Sequence, residues 1–124
     1  MLSDELLKNA LDNTMDMIMI LEANFDDVGA SRIVYVNRAF CETMGYTQDE
    51  LLGKNPRMLQ GDDTDKRTRM DIRVALKHKK PIRREILNVT QSGESIQLDI
   101  TLTPLKNDND DVTHFLAIER VVQS

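Results

Sequence analysis

The sequence predicts an α+β domain: a five-stranded antiparallel sheet with helices on one face and an amphipathic helix capping it from the amino terminus. Two short β-rich runs follow that helix, and three longer alternating runs close the chain. Between the two groups lie segments with helical spacing and helical caps. The order is two strands, then helices, then an antiparallel three-stranded meander, which reads as one α+β domain. At 124 residues there is room for one domain with a real core and too little for two.

Residues 2–12 read as the amphipathic helix, with Leu2, Leu6, Leu7, Ala10 and Leu11 on one stripe. The division expected is a cap helix over 1–14 and a globular domain over 15–124. MDMIMILE (15–22) and SRIVYVN (31–37) are the two early strands, joined by a polar connection. RAFCETMG (38–45) is a short helix that Gly45 can end in the left-handed conformation. In TQDELLG, Thr47 caps a turn with Glu50 three residues on. The longest helix is expected over 63–78, capped by Asp63 or Thr64, with Met70, Val74 and Leu76 on its apolar side. Lys77, His78, Lys79 and Lys80 crowd its carboxyl end, where positive charge is favoured, and Pro81 stops it. Strands over 82–91, 95–106 and 112–122 complete the chain, with QSGE and NDNDD as the turns.

Period two assigns the faces. Ile96, Leu98, Ile100 and Leu102 share one face of their strand. Ile82, Ile86 and Asn88 oppose Leu87 and Val89, and Phe115, Ala117 and Glu119 oppose Leu116 and Ile118. A sheet apolar on both sides needs two covers. The mid-chain helices supply one; the amino-terminal helix or a partner chain must supply the other. The inner face is expected to enclose at most a modest apolar pocket, lined by Met58, Leu98, Ile100 and Phe115, because large aliphatics tend to close cavities to native density.

Composition excludes several classes. Hydrophobic residues at 40% and charged residues at 30% are ordinary for a soluble globular protein. A net charge of −5 gives no footprint for nucleic acid. The single cysteine, Cys41, cannot form an internal disulfide, which suits a reducing cytoplasm. The longest apolar run, Met17 to Leu21, is too short to span a bilayer, and MLSDELLKN lacks the features of a secretory signal. A cytoplasmic location without direct membrane contact is expected.

The segments IVYVNRAFCETMGYTQDELLGKN (33–55), RMLQGDDTD (57–65), IRVAL (72–76), EILNVTQSGESI (85–96) and THFLAIER (113–120) together resemble PAS sensory domains. The resemblance is strongest to the LOV branch, the flavin-binding photoreceptors, and GKNPRMLQGDDTD (53–65) is similar to their cofactor motif. It implies that Asn55, Gln60 and Asn88 match contacts to the sugar-alcohol chain or ring of a flavin. Arg57 and Arg73 match the pair that holds the phosphate, where a guanidinium fork suits phosphate oxygens. It also exposes departures. Pro56 stands where the photoactive Cys is expected, Leu98 where a second ring-binding Asn is, and Glu119 where a Gln both donates to and accepts from the ring. An ionised Glu could only accept. The FAD-binding redox branch carries a Trp at the position of Ile82, and this chain has no Trp. At the place where relatives run through an Asp into a linker stands Val121.

The residues also have plain readings. Arg57 and Arg73 could pair with nearby acids on a helical surface, Asn55 could cap a turn, and Glu119 could bond a neighbour such as Asn88. The methionines are an adaptable lining or simply core. His78 and His114 lack partners at metal-ligand spacing, so no metal site is expected. Cys41 reads as a buried thiol. No nucleophile elbow or phosphate-binding glycine loop is present.

Together these readings lead to a non-catalytic sensor or regulatory domain. It would bind a small molecule or mediate homodimerisation for an attached effector: a kinase of a two-component system, a cyclic-dinucleotide (cyclic-di-GMP) enzyme or a transcription regulator. With the ring contacts altered, the favoured expectation is no cofactor. The alternative is a flavin (FMN or FAD) redox sensor or a small flavin-dependent enzyme.

Overall fold

The computed structural model describes residues 1–122. Five strands, β1 (Met17–Glu22), β2 (Arg32–Val36), β3 (Ile82–Val89), β4 (Ser95–Lys106) and β5 (Val112–Val121), form one sheet in the order β2-β1-β5-β4-β3. Every pairing is antiparallel, so the two amino-terminal strands add onto the edge of the later meander. Helices α1 (Asp4–Asn13), α2 (Arg38–Met44), α3 (Gln48–Leu51) and α4 (Lys66–Lys77) complete the fold, with 3-10 turns at Val28–Ala30 and Pro56–Leu59. Both the class and the strand order along the chain agree with the expectation from sequence.

The face assignments hold. Met17 and Met19 from β1 meet Ile86, Leu98, Ile100, Leu102, Phe115 and Ala117 in one buried cluster. Phe40 and Met44 from α2, Leu51 from α3 and Leu76 from α4 close it from the other side. Phe40 and Phe115 are fully enclosed, each worth roughly 1.5–3 kcal/mol of transfer free energy. Of the methionines, Met17, Met19 and Met44 are core, whereas Met15, Met58 and Met70 are exposed.

The local signals acted as expected in the middle of the chain. Gly45 ends α2 at φ 80°, and Thr47 with Glu50 forms a full capping box on α3. Helix α4, however, starts later than expected, at Lys66, and Asp65 caps it by accepting from the Arg67 and Thr68 amides. Thr64 is not free to cap. Its buried hydroxyl donates to the Leu87 carbonyl at 2.7 Å and accepts from the Gly61 amide. The apolar side of α4 is also rotated from the expected one. Ala75 and Leu76 are buried and Ile72 partly so, whereas Met70 and Val74 are exposed.

Helix α1 departs most from the reading as a cap. It begins at Asp4 behind the N-cap Ser3, so Leu2 lies outside it. No residue of α1 is buried, and Leu6 and Leu7 stay exposed. Only its carboxyl end is anchored. Asn37 Nδ2 donates to the Leu11 and Asp16 carbonyls, and Tyr35 donates its hydroxyl to Asp12. On the outer face of the sheet Ile18 is buried, whereas Ile20, Leu87, Val89, Leu116 and Ile118 are only half-buried.

Candidate functional site

A cavity of about 340 Å³ opens between α4 and the two 3-10 turns. Leu21, Val28, Ile72 and Leu76 form its apolar wall, Asn55, Pro56 and Gln60 one rim, and Arg57, Lys66, Arg69 and Arg73 its charges. At most a modest pocket was expected under the sheet centre, with Leu98 filling space there, and the packing agrees. Leu98 and Phe115 are packed to zero exposure, Ile100 is buried, and none of them, nor Met58, borders the cavity between α4 and the turns. Large side chains at interior density leave no void there.

Asn55 is the keystone of the rim. Its Nδ2 donates to the Gly29 and Ser31 carbonyls at 2.9 and 2.8 Å, and its Oδ1 accepts from the Arg57 amide at 2.9 Å. All its strong bonding capacity is thus spent on positioning the two 3-10 turns, as its reading as a turn cap implies. Pro56 follows at the first position of the turn, where a missing N–H costs nothing. The Arg57 side chain leans on the same scaffold, Nε on Asn55 Oδ1 at 3.3 Å and an outer nitrogen on the Gly29 carbonyl at 3.4 Å. Gly29 packs tightly here, since an added Cβ would stand 3.2 Å from that guanidinium.

The four cations of the cavity form no ion pair among the described residues, and no acid lines the cavity with them. This corrects the expectation that Arg57 and Arg73 pair with nearby acids. The acid of α4 that does form ion pairs, Asp71, goes to Arg67 and Arg84. Lys66 and Arg69 were not singled out in the sequence. Their signal was legible all the same: Lys66, Arg69 and Arg73 stand at i, i+3 and i+7, which puts them on one helical face.

Asn88 and Glu119 do not join the others. A backbone bridge ties Gln60 to Asn88, but neither Asn88 nor Glu119 borders the cavity. Glu119 Oε1, Asn88 Oδ1 and Gln60 Oε1 are all buried without a partner among the described residues. The bond expected between Glu119 and Asn88 is therefore absent. The two lie on β5 and β3 with β4 between them, and their β4 partners, Ile100 and Ile96, are themselves separated along the strand. Burial pushes the Glu119 carboxyl up to about 8, so at neutral pH it is protonated and can donate as well as accept. Cys41 is half-buried, and that burial raises its thiol, which keeps it unreactive.

Against these residues a flavin fits at one end only. Asn55, Arg57, Gln60 and Arg73, which the LOV resemblance assigns to the phosphate and sugar-alcohol end or the ring edge, gather around open space. The positions it assigns to the ring proper, Leu98 and Glu119, are enclosed in the core. No helix among the described residues is long and apolar enough to cross a membrane.

Known proteins similar to this chain include light-sensing and regulatory ones. A blue-light photoreceptor of Listeria innocua is 37% identical over 90 residues, 73% of this chain and 35% of its own. A blue-light-activated histidine kinase of Brucella ovis is 33% identical over 108 residues, 87% of this chain and 22% of its own. A nitrogen fixation regulatory protein of Klebsiella oxytoca is 32% identical over 73% of this chain and 18% of its own. The chain thus spans about a third or less of the length of these relatives. Among solved structures, an RNA-binding light-oxygen-voltage receptor superposes with a TM-score of 0.85 at 28% identity. That match covers 95% of this chain and 32% of the receptor. A light-oxygen-voltage domain studied with a flavin analogue superposes with a TM-score of 0.83 at 25% identity, covering 97% of this chain and 87% of the other. Residues 15–120 match the PAS domain profile, so the chain belongs to the PAS domain family.

Proposed function

We propose that this chain is a non-catalytic sensory PAS domain that controls an attached effector and has left the flavin photochemistry of its light-sensing relatives. The enclosure of Leu98 and Glu119 in the core carries the reading, because a flavin ring needs the space they and Phe115 fill. Pro56 adds to it: at the position where the resemblance expects the photoactive thiol there is no sulfur. The relatives with signalling names, a histidine kinase and a nitrogen fixation regulator, favour an output in signal transduction, with a kinase or transcription regulator downstream.

Transmission would run through association of two copies. The exposed leucines of α1 and the half-buried part of the outer sheet face are apolar surfaces that no element among the described residues fully seals. A change at the cavity reaches that face through α4, which packs on β3, and through the sheet itself.

The visible spectrum of freshly purified protein tests the reading. A colourless preparation is expected. One equivalent of FMN or FAD released on denaturation would instead establish the flavin redox reading, with Glu119 as a protonated ring contact.

A further inference from the structure

Charge is distributed very unevenly along this chain. Residues 66–84 hold nine of its 16 Lys and Arg but only one of its 21 Asp and Glu, giving that segment a formal +8 and the remainder −13. Helix α4 and the start of β3 make up the segment. Internal pairing takes up part of the charge. Asp71 is shared by Arg67 and Arg84 at 3.6 and 3.5 Å, and Arg83 pairs with Asp99 at 2.7 Å. Lys77 at the helix end and Lys80 just beyond it are exposed, with no ion pair among the described residues. The helix dipole favours cations at this end, and on a wholly polar face that alone would explain them.

The outer face of α4 is not wholly polar. The helix buries Ala75 and Leu76 against the domain and turns Met70 and Val74 outward, at 56% and 48% exposure. Arg67, Met70, Val74 and Lys77 stand at i, i+3, i+7 and i+10, so they run along one side of the helix. From Arg67 to Lys77 this face is about 15 Å long, or roughly three turns. Met70 also borders the cavity, whereas Val74 and Lys77 lie outside it. Two apolar side chains on adjacent turns, with a cation at each end, match the anchor spacing by which an amphipathic helix is recognised. Methionine adds an adaptable contact.

The face selects among anionic occupants. Nucleic acid would leave Met70 and Val74 without a contact, and the −13 on the rest of the domain repels a long polyanion. A membrane surface calls for a broad apolar face with Trp, Phe or Leu, and this face has none of them. An acidic helix meets both features: its carboxylates face Arg67, Lys77 and Lys80, and its apolar stripe covers Met70 and Val74.

We infer that the outer face of α4 docks an acidic amphipathic helix of a partner protein. The contact is small and largely electrostatic, so it is sensitive to salt. The inference takes only the partner's role, as effector, from the sensory reading; the partner's chemistry comes from the α4 face.

Fluorescence anisotropy of the intact chain with a labelled peptide of about 14 residues, long enough to cover the face, tests it. The peptide carries leucines on one helical stripe and glutamates elsewhere. The comparison arms are a scrambled peptide of the same composition, single-stranded DNA, and vesicles containing phosphatidylserine. Saturable 1:1 binding of the patterned peptide is expected, weakening as salt is raised. The scrambled peptide should bind at least about fivefold more weakly, because its leucines no longer share a stripe. Met70→Gln with Val74→Gln should lower affinity at least about fivefold and leave thermal unfolding unchanged, since both side chains are exposed. Lys77→Gln with Lys80→Gln should lower it several-fold and flatten the salt dependence. Equal binding of the scrambled peptide, tighter binding of DNA or vesicles, or unchanged affinity in both double variants would overturn the inference. So would loss of the chain's own association in the Met70→Gln, Val74→Gln variant, which would give this face to a second copy. One equivalent of flavin in the purified protein would overturn the sensory reading and leave this contact standing, so the two failures are distinct.

Discussion

Glu119 faces Met17 across the β1–β5 ladder on the inner side of the sheet, a carboxyl set against a thioether with no ion-pair partner among the described residues. Its other ladder neighbour is Ile100. Such a site favours the neutral acid, and burial accordingly raises the group from 4.5 to about 8. The unfolded chain releases this proton near pH 4.5, and the folded chain holds it to about pH 8. Stability from this group is therefore complete below pH 4.5, falls as pH rises between the two values, and is lost above pH 8.

At neutral pH the loss is on the order of 3 kcal/mol, from about 1.4 kcal/mol for each pH unit above the unfolded value. Glu119→Gln keeps the shape and removes the titration. Urea unfolding from pH 4 to pH 9 should show a falling midpoint in the parent and a much flatter one in the variant. Parallel curves would show that Glu119 does not carry this pH dependence.

Much of the fold was legible because its signals are local or strictly periodic. Strand faces followed from period two, and Gly45 and the Thr47–Glu50 box fixed the mid-chain helices. The start of α4 was missed because Thr64, a good cap by type, is engaged by the Leu87 carbonyl across the fold. Asn37 shows the same limit. Its side chain bonds the Ile18 and Phe40 amides as well as the Leu11 and Asp16 carbonyls, joining α1, β1 and α2, and nothing in RIVYVNRAF marks more than a cap. The cavity beside α4 was not foreseen because periodicity says which side chains face inward but not where the elements leave space between them.

Gly61 is fixed by a contact rather than by its backbone angles. An added Cβ would stand 2.5 Å from Val89 Cγ2, where the chain crosses β3 to make the Gln60–Asn88 bridge. Gly61→Ala should destabilise by about 1–3 kcal/mol, the usual range for overpacking. Adding Val89→Ala should restore part of that loss by clearing the clash. Thermal denaturation of the two variants decides it; a lone Gly61→Ala as stable as the parent would show that the loop relaxes freely.

Light should have no effect. Protein mixed with FMN and illuminated with blue light is expected to show no reversible bleaching, because Pro56 has no sulfur and Cys41 belongs to α2. Pro56→Cys should not restore the response alone, because Leu98 still fills the ring region. Adding Leu98→Asn to Pro56→Cys is the informative step. If Pro56→Cys by itself bleaches and recovers, the ring region admits a flavin and the enclosure argument fails.

Association through α1 is the expectation with the widest consequence. The helix has ten residues, and Leu6 and Leu7 remain exposed at 53% and 45%. A helix this short is marginal in water without packing, and its anchors to the domain, at Leu11 and Asp12, lie only at its carboxyl end. Packing against a second copy would supply what its own domain does not, and a two-fold axis would bring two such helices and two outer sheet faces together. Light scattering at high micromolar concentration should report a dimer. Leu6→Asp with Leu7→Asp should give a monomer whose melting curve is little changed, since neither side chain belongs to the core. If the parent is a monomer under those conditions, α1 has no partner in a second copy and the proposed route from cavity to effector loses its last step.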